Sequence, residues 1–237
     1  MSISSDVKNF LRASIYQGKN KARIEDLTAY LLIQDLLKFA EYFPITSSSL
    51  RFHTLATVLN DIIMNTRENI IEFGAGISTL AIANLFKKNS LNYSLISVED
   101  DMNWFNYMKS CISKNNLQEH VNLIYAPLEK TILALENNSW YSVKSLSEKI
   151  NNELKFSLAI VDGPGAWKPE IRLSRYTALP FLINKLAENF SIYLDDINRK
   201  GEKQVLSLWQ KKYTMKFEKI NDTSAVFIKG KKLNTIP

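Results

Sequence analysis

The stretch Ile70-Ile71-Glu72-Phe73-Gly74-Ala75-Gly76-Ile77-Ser78-Thr79 decides the fold that we predict for this chain. Its first half is a short apolar run typical of a buried strand, and its second half begins a helix directly after two closely spaced glycines. Glycine permits a tight turn and a close approach of the backbone to a ligand, and the first turn of a helix offers free amides. Because the chain has only 7 glycines in 237 residues, this pair indicates a requirement of the backbone.

The composition excludes several classes of protein. Of the residues, 46% are hydrophobic and 23% are charged, which is ordinary for a globular chain and excludes a disordered or collagen-like one. The single cysteine, Cys111, excludes an internal disulfide and a cysteine-based zinc cluster. The first ten residues lack the apolar core of a secretory signal, and no apolar run is long enough to span a bilayer. We therefore expect a cytoplasmic protein with no membrane partner.

The charge balance bears on the kind of partner. Thirty lysines and arginines against 24 acidic residues give a net charge of +6. The excess is spread over the chain, often as lysine pairs, and forms no concentrated basic stripe with aromatic platforms, so we expect no nucleic-acid partner. A basic surface still favours an anionic small molecule.

Short apolar runs alternate with segments of helical periodicity along most of the chain. The pattern predicts strands over 69–73, 94–98, 121–125, 156–161 and 190–194, and a closing hairpin over 213–220 and 224–229. It predicts helices over 50–64, 78–86, 102–114, 172–187 and 202–211, and a mostly helical stretch over 128–154. This alternation predicts an α/β fold with a Rossmann-like, doubly wound, seven-stranded sheet, mostly parallel with an antiparallel C-terminal strand.

The first 49 residues differ from the rest and are expected to form a helical segment beside an α/β domain over 50–237. Residues 1–43 have helical spacing, which Pro44 and the run Thr46–Ser49 interrupt. Those hydroxyls can cap the helix that follows. We expect the N-terminal helices either to cover the ligand cleft or to form a homodimer contact.

Acidic residues end four of the predicted strands or lie just after them, namely Glu72, Glu99, Asp162 and the pair Asp195-Asp196. The carboxyl ends of parallel strands meet at one edge of the sheet, where ligands bind. Glu72 would repel a pyrophosphate but suits a cationic ligand, and Glu99 can accept both hydroxyls of a ribose. A cationic ligand that carries a ribose suggests S-adenosylmethionine.

Three motifs in this order resemble the class I S-adenosylmethionine-dependent methyltransferases over roughly residues 50–230. They are Glu72–Gly76, Val98-Glu99-Asp100 and Val161–Pro164. Ser78-Thr79, Trp104, Asp162-Gly163-Pro164 and Asp195-Asp196 are similar to a subset of that family associated with O-methylation of sugars and natural products. The resemblance implies methyl transfer to a hydroxyl of a small acceptor, such as a sugar or sugar nucleotide.

The resemblance also implies roles for individual residues. Glu72 and the backbone of Gly74 and Gly76 would hold the methionine moiety, Glu99 would hold the ribose, and Asp162 would lie nearest the transferred methyl group. Asp100 and the segment 126–128 would lie near the adenine. The implied cofactor-binding residues are Glu72, Gly74, Ala75, Gly76, Ser78, Thr79, Glu99, Asp100, Ala126, Pro127, Leu128 and Asp162.

Three carboxylates from two adjacent strand ends, Asp162, Asp195 and Asp196, form a candidate magnesium site, because hard oxygen ligands suit Mg²⁺. The arrangement resembles the metal-dependent catechol-type and sugar O-methyltransferases, although the catechol type has Asp-Asn where this chain has Asp195-Asp196. The alternative is that Asp196 pairs with Arg199 and that Asp162 only orients the substrate.

The candidate catalytic residues are Asp162, Asp196 and His53. His53 either reaches the cleft as a base or has a surface or packing position. The segment after Asp162 carries Trp167, Arg172 and Arg175, which suit a sugar ring bearing a carboxylate or phosphate. The alternative is a solvated loop whose cations face water.

Two other functions stay open at this point. One is an NAD(P)-dependent oxidoreductase on a Rossmann fold, against which two features count: Thr79 at the position of a third glycine, and the absence of a Tyr-x-x-x-Lys pair. The other is a non-catalytic module that binds an adenosyl cofactor.

Overall fold

The computed structural model describes residues 5–135, 138–168, 171–230 and 233–237. The helices are α1 (Ser5–Ile33), α2 (Phe52–Met64), α3 (Ile77–Lys88), α4 (Met102–Lys114), α5 (Val143–Lys149), α6 (Ala178–Leu182) and α7 (Lys200–Tyr213). The strands are β1 (Asn69–Phe73), β2 (Ser94–Glu99), β3 (Val121–Tyr125), β4 (Leu128–Lys130), β5 (Ser139–Tyr141), β6 (Phe156–Val161), β7 (Leu186–Leu194), β8 (Glu218–Lys219) and β9 (Ala225–Lys229). Single 3-10 turns cover Gln34–Leu36 and Ser174–Thr177.

Seven strands form one sheet in the order β3-β2-β1-β6-β7-β9-β8. The pairs from β3 to β7 are parallel, and β9 runs antiparallel to β7 and to β8. The α/β class and the mostly parallel sheet are therefore confirmed. Phe73 of β1 lies beside Val98 of β2 and Val161 of β6, so these three strands end at one edge of the sheet.

The sheet separates two apolar layers, because successive residues of a strand face opposite sides. Ile70 packs in the layer that contains α2 and α3, represented by Leu55 and Leu80. Ile71 and Phe73 pack in the other layer, which contains α6 and α7. Burial on both faces explains why Ile70, Ile71 and Phe73 of β1 are all apolar.

The prediction of a mostly helical stretch over 128–154 is wrong. This segment begins with the antiparallel pair β4 and β5, and among its described residues only α5 is helical. Trp140 and Tyr141 are fully buried in β5 and pack against Phe73. Aromatic residues favour strands when they can pack on a sheet, and here they outweigh the helical periodicity of the polar neighbours.

The helix predicted over 172–187 is also wrong in extent, because α6 has five residues and β7 already begins at Leu186. Pro180 explains the late start. In the middle of a long helix it would remove a backbone hydrogen bond, whereas in the first turn of α6 its missing amide costs little. The closing hairpin begins later than expected, since Tyr213 is the last residue of α7.

The N-terminal segment departs from the expected helix beyond Ile33, where a short 3-10 turn leads into an irregular stretch. The hydroxyl run does not cap α2, which begins after Arg51 without a side-chain cap. Instead, the Thr46 amide donates to Ser49 Oγ at 3.0 Å, so the run closes its own turn.

Helix α1 packs along α2 and is held there by Arg51, which pairs with Asp26 and Asp222. Outward-facing apolar residues of α1, Ile24 and Leu32 among them, are 65% and 66% exposed. The homodimer contact and the division of the chain at residue 49 stay predictions. In the ranges described, no helix has the length and apolar character that crossing a membrane requires.

Candidate functional site

A cleft of about 510 Å³ opens at the edge where β1, β2 and β6 end. Both glycine loops, Gly74–Gly76 and Gly163–Gly165, line it, as do Glu99, Asp100 and Asp162. The irregular stretch from Phe43 to Leu50 contributes a further wall. A wider depression of about 800 Å³ lies between α1 and α2, and none of the predicted site residues lines it. Those predicted site residues that line a cavity therefore line the cleft and not the depression.

Glu72 lies beneath the first glycine loop and is fully buried. The hydroxyls of Ser78 and Thr79 donate to its two carboxylate oxygens, and Ser97 donates at 2.8 Å. Burial raises the pKa of Glu72, while the three hydroxyls act in the opposite direction. Thr79 Oγ1 also accepts the Gly76 amide at 3.0 Å. Glu72 and Thr79 thus support the glycine loop from beneath. Neither is among the described residues that line the cleft.

Trp104 secures the same loop from its open side. Its indole Nε1 donates to the Ala75 carbonyl at 2.7 Å, and its ring stacks on Tyr107 with centroids 5.1 Å apart. Trp104 also lines the cleft. The side chain therefore both packs α4 and forms part of the site wall.

Glu99 ends β2 and faces the cleft. Its Oε1 accepts the amides of Asp100 and Asp101, both at 2.9 Å, and its Oε2 accepts the amide of Ala75 at 3.3 Å. Burial raises the pKa of Glu99 to about 7, and the neighbouring Asp100 acts in the same direction. Oε1 thus uses both of its lone pairs, whereas Oε2 has one lone pair left to accept a hydroxyl from a ligand.

The three predicted metal ligands do come together. Asp162, Asp195 and Asp196 each offer an oxygen, and these oxygens lie within 4.8 Å of one another. Burial and the nearby Asp195 raise the pKa of Asp162 well above its usual range. Burial also raises the pKa of Asp195, whose Oδ1 accepts a hydrogen bond from Ser224. Of the three acids, only Asp162 is among the described residues that line the cleft.

Arg175 lies under this acid cluster and is 3% exposed. Its guanidinium is 3.3 Å from Asp162, 3.0 Å from Asp196 and 3.8 Å from Glu202. It also donates to the carbonyls of Asp162 at 2.6 Å and of Pro164 at 3.2 Å. The expectation that Arg175 contacts substrate does not fit this position, because all of these contacts are internal.

Arg199 reaches the cluster from the solvent side and pairs with Asp196 at 2.7 Å. This is the local pair anticipated as the alternative to a metal. The structure adds a second, buried guanidinium at the same carboxylate. Four acids, Asp162, Asp195, Asp196 and Glu202, face two arginines, so the formal charge of the group is −2.

Several other predicted site residues lie away from the cleft. His53 is buried in α2, where its amide donates to Asp26 at 3.0 Å. The segment Ala126, Pro127 and Leu128 follows β3, and none of these residues lines the cleft. Arg172 is exposed on the surface, whereas Trp167 lines the cleft with 71% of its surface exposed.

The residues that the sequence did not single out are the Phe43–Leu50 stretch and Tyr141. The turn residues of the stretch indicated a loop, but nothing in them indicated that it lines the same cleft as Gly74. Tyr141 fell inside a predicted helix. Its aromatic neighbour Trp140 was the available signal for a buried strand.

No family model matches the chain, and no curated protein matches it. The chain does match solved structures. A methyltransferase of Podospora anserina bound to S-adenosylhomocysteine has a TM-score of 0.57 at 14% identity and covers 98% of each chain. A provisionally assigned caffeoyl-CoA O-methyltransferase of Staphylococcus aureus also scores 0.57, at 17% identity, with 94% of this chain and 100% of that chain covered.

A third solved structure, the O-methyltransferase TomG of Streptomyces achromogenes in complex with S-adenosylmethionine, has a TM-score of 0.54 at 8% identity. It covers 88% of this chain and 90% of that chain. At these identities the likeness concerns the fold. Together with the strand order and the cleft at the ends of β1, β2 and β6, it shows that the chain has the fold of the class I S-adenosylmethionine-dependent methyltransferases.

Proposed function

We propose that this protein transfers the methyl group of S-adenosylmethionine to a hydroxyl of a small acceptor. The observation that carries the proposal is the convergence of Glu99, the Gly74–Gly76 loop and Asp162 in one cleft. Two structures of the same fold, from Podospora anserina and Streptomyces achromogenes, hold the product or the donor of such a transfer.

The described residues fit the donor. Glu99 is held by three backbone amides and retains one acceptor site, on Oε2, for a ribose hydroxyl. Gly74 has φ +97°, and a Cβ there would lie 3.1 Å from the Asp162 backbone, so the loop approaches the second glycine loop without an intervening side chain. The cleft is large enough to enclose most of a nucleoside-sized ligand.

The chemistry assigned to the chain is positioning and proton removal. The bound donor supplies a methyl group that is already activated by its sulfonium. The two glycine loops, which line the cleft, would position that group for the acceptor hydroxyl. Asp162, the acid that lines the cleft, takes the hydroxyl proton.

We assign the acid cluster as a site for a divalent cation such as Mg²⁺. The known contacts of Asp162, Asp195 and Asp196 engage one oxygen of each carboxylate, and the group carries a formal charge of −2. Hard oxygen donors in this number suit magnesium. A cation there would lower the pKa of the acceptor hydroxyl and orient it.

The acceptor side of the cleft is the region of Trp167. This indole presents a large exposed face to the cleft beside Gly165, and Thr46 and Ser48 offer hydroxyls on the facing wall. An aromatic surface with a few polar groups suits a small hydroxylated ring, and a sugar or sugar nucleotide is the acceptor class that we favour.

Calorimetric titration of the protein with S-adenosylmethionine, S-adenosylhomocysteine and NAD tests the function. We expect both adenosyl ligands to bind and NAD to give no heat. Tight NAD binding without an adenosyl response would indicate an oxidoreductase and overturn the proposal. Adenosyl binding without methyl transfer to any of a panel of hydroxylated sugars, sugar nucleotides and phenols would favour a non-catalytic module.

The affinity for S-adenosylhomocysteine is expected to fall about tenfold from pH 8 to pH 6, because the pKa of Glu99 is raised to about 7. Above this pH the carboxylate is ionised and accepts a ribose hydroxyl; below it the protonated form accepts the hydroxyl less well. Titrations at pH 6, 7 and 8 measure the effect.

The matched variant for this prediction is Glu99→Gln, which cannot ionise. It should bind about 1–3 kcal/mol more weakly at pH 8, the scale of a lost hydrogen bond to a charged group. Its affinity should also vary little with pH. A wild-type affinity that is constant across this range would remove Glu99 from the ribose site.

The cation is tested by titrating the metal-free protein with Mg²⁺ and Mn²⁺. We expect one site per chain, and we expect Asp195→Asn to weaken it about tenfold or more, the scale of a lost charged ligand. Asp222→Asn is the control, since Asp222 is an exposed acid outside the cluster. If no cation binds, the assignment of a cation site is wrong, and Arg175 and Arg199 are the positive charges that the described residues place at the cluster.

A further inference from the structure

Two buried hydroxyls connect Asp195 of the acid cluster to parts of the chain that are far from it in sequence. The fully buried Ser224 donates to Asp195 Oδ1. Thr54 of α2 is also buried, and its Oγ1 lies 2.8 Å from Ser224 Oγ. Asn221 Nδ2 in turn donates to Thr54 Oγ1 at 2.9 Å. Asn221, Thr54 and Ser224 thus form a continuous hydroxyl chain that ends on a predicted ligand of the cation.

The hydrogen bonds of the hydroxyl chain can be assigned in only one direction. Asn221 Oδ1 accepts the amides of Thr223 and Ser224, both at 2.9 Å, so Nδ2 is the end of that side chain that faces Thr54. The Asp195 carboxylate accepts, and it therefore takes the single proton of the Ser224 hydroxyl. Ser224 can then only accept from Thr54. Each hydrogen bond of the chain is directed towards Asp195.

The backbone fixes the place of the Ser224 hydroxyl. Leu194 of β7 lies beside Ala225 of β9 in an antiparallel ladder, so the register brings Ser224 opposite Asp195. The amide of Ile197 also donates to the carbonyl of the residue before Ser224, at 2.7 Å. The segment that carries Asp195 is therefore docked on the closing hairpin by the sheet and by a further backbone hydrogen bond.

Asp195 differs from the other two acids of the candidate cation site in what holds its carboxylate. The guanidinium of Arg175 lies 3.3 Å from the Asp162 carboxylate and 3.0 Å from that of Asp196. At Asp195 the same guanidinium donates to the backbone carbonyl, at 3.2 Å. The neighbouring carboxylates repel that of Asp195. The hydrogen bond from Ser224 therefore has the part at Asp195 that Arg175 has at the other two acids.

We propose that Ser224 and Thr54 are positioning residues of the cation site. Ser224 holds the Asp195 carboxylate in its ligating orientation, and Thr54 holds the Ser224 hydroxyl. A carboxylate is planar, so a hydrogen bond that fixes Oδ1 also fixes the direction of Oδ2. The inference rests on the proposed function, in particular on the assignment of a divalent cation to the acid cluster. Losing a hydrogen bond that orients a metal ligand commonly costs about 10–100-fold in metal affinity.

Calorimetric titration of the metal-free full chain with Mn²⁺ measures the effect. In Ser224→Ala we expect the affinity for Mn²⁺ to fall about 10–100-fold. The affinity for S-adenosylhomocysteine, measured in EDTA, should be unchanged, because Ser224 is not among the described residues that line the cleft. Loss of cation binding with retention of the adenosyl ligand separates the positioning of a metal ligand from general damage to the fold.

Ser191→Ala is the matched control. Ser191 is another fully buried serine that donates to a carboxylate, that of Asp61, which lies outside the acid cluster. Both serine variants should lower the Tm of the metal-free protein, since each leaves a buried carboxylate without one of its donors. Only Ser224→Ala should lose affinity for Mn²⁺. An equal loss in both variants would mean that cation affinity merely follows stability, and the inference would be wrong.

Thr54→Val tests the order of the hydroxyl chain. It should weaken Mn²⁺ binding about threefold, less than Ser224→Ala, because its effect passes through one more hydrogen bond. The double variant Thr54→Val/Ser224→Ala should bind Mn²⁺ as Ser224→Ala does, since the hydroxyl through which Thr54 acts is then absent. Additive losses would contradict the proposed order. The control is Thr57→Val, which removes a buried hydroxyl of α2 that donates to the His53 carbonyl, and it should leave the affinity unchanged.

The outcomes separate this inference from the function on which it rests. If the wild type binds Mn²⁺ and Ser224→Ala binds it equally well, the inference is wrong and the cation site stands. If the wild type binds S-adenosylhomocysteine but no Mn²⁺, the cation site and this inference both fail, while the donor site stands. If the wild type binds neither, the proposed function fails first.

Discussion

Replacing Arg175 by leucine is expected to lower the free energy of unfolding by about 3–5 kcal/mol, because it leaves buried carboxylates without their counter-ion. Asp162 and Asp196 would lose contacts of 3.3 and 3.0 Å, and Glu202 would lose the cation 3.8 Å away. Three backbone carbonyls would lose a donor as well. Urea unfolding in the presence of EDTA measures the loss.

The loss should depend on pH. Burial raises the pKa of Asp162, Asp195 and Glu202 above their values in the unfolded chain. A carboxyl with a raised pKa binds more protons in the folded state, so the free energy of unfolding falls as the pH rises through that pKa. Without Arg175 the ionised carboxylates lose their counter-ion, so this fall in the free energy of unfolding becomes larger. The deficit of Arg175→Leu relative to the wild type should therefore be larger at pH 8 than at pH 5.5.

Arg199→Leu is the matched control. Arg199 is 38% exposed and contacts one carboxylate of the cluster, Asp196. Exposed ion pairs contribute up to about 1 kcal/mol, so this variant should lose far less stability. Arg175→Lys keeps the charge but not the planar guanidinium. Its loss of stability should therefore lie between the losses of Arg175→Leu and Arg199→Leu. Equal losses for Arg175→Leu and Arg199→Leu would contradict the interpretation of Arg175 as the buried counter-ion.

Replacing Gly163 by alanine is expected to destabilise the protein by about 1–3 kcal/mol and to weaken S-adenosylhomocysteine binding about tenfold or more. The added Cβ would overlap the Tyr141 hydroxyl and lie 2.9 Å from the backbone of Gly74. One glycine loop must then move away from the other, which alters the floor of the cleft. Urea unfolding and calorimetry of the same preparations measure both effects.

Gly76→Ala makes the same chemical change in the neighbouring loop. No atom lies within 4 Å of a Cβ there, and φ is −167°, an extended value that alanine adopts. Its free energy of unfolding should stay within about 0.5 kcal/mol of the wild type. In the double variant Gly163→Ala/Tyr141→Phe, part of the lost stability should return, because one of the two clashes is removed. No recovery would mean that the clash with Gly74 alone sets the cost.

The local pattern of apolar residues was sufficient to predict the strands that end at the site. The apolar runs before Gly74, Glu99 and Asp162 are strands, and the parallel sheet brings their ends together, as the alternation predicted. Glu99 lies in the cleft for the same reason. The pattern failed for 128–154, where the burial of Trp140 and Tyr141 on Phe73 outweighs the helical spacing.

The burial of Arg175 could not be predicted, because its partners come from the ends of β6 and β7 and from α7. In the sequence it is one of several cations in a segment predicted to contact substrate, with a solvated loop as the alternative. Only the folded chain shows that Arg172 is exposed while Arg175 is enclosed. The same holds for Glu72, whose strand-end position is shared with Glu99 but whose carboxylate is covered by Ser78 and Thr79.

The sequence by itself determined the class of fold and the edge of the sheet at which the ligand is expected, because hydrophobic period and strand-end position are local properties of the chain. Only the tertiary structure decided which of the acids face the cleft, which arginine neutralises them, and that Tyr141 reaches the junction of the glycine loops. Those facts depend on contacts between residues far apart in the chain, and such contacts are set by packing of the whole core.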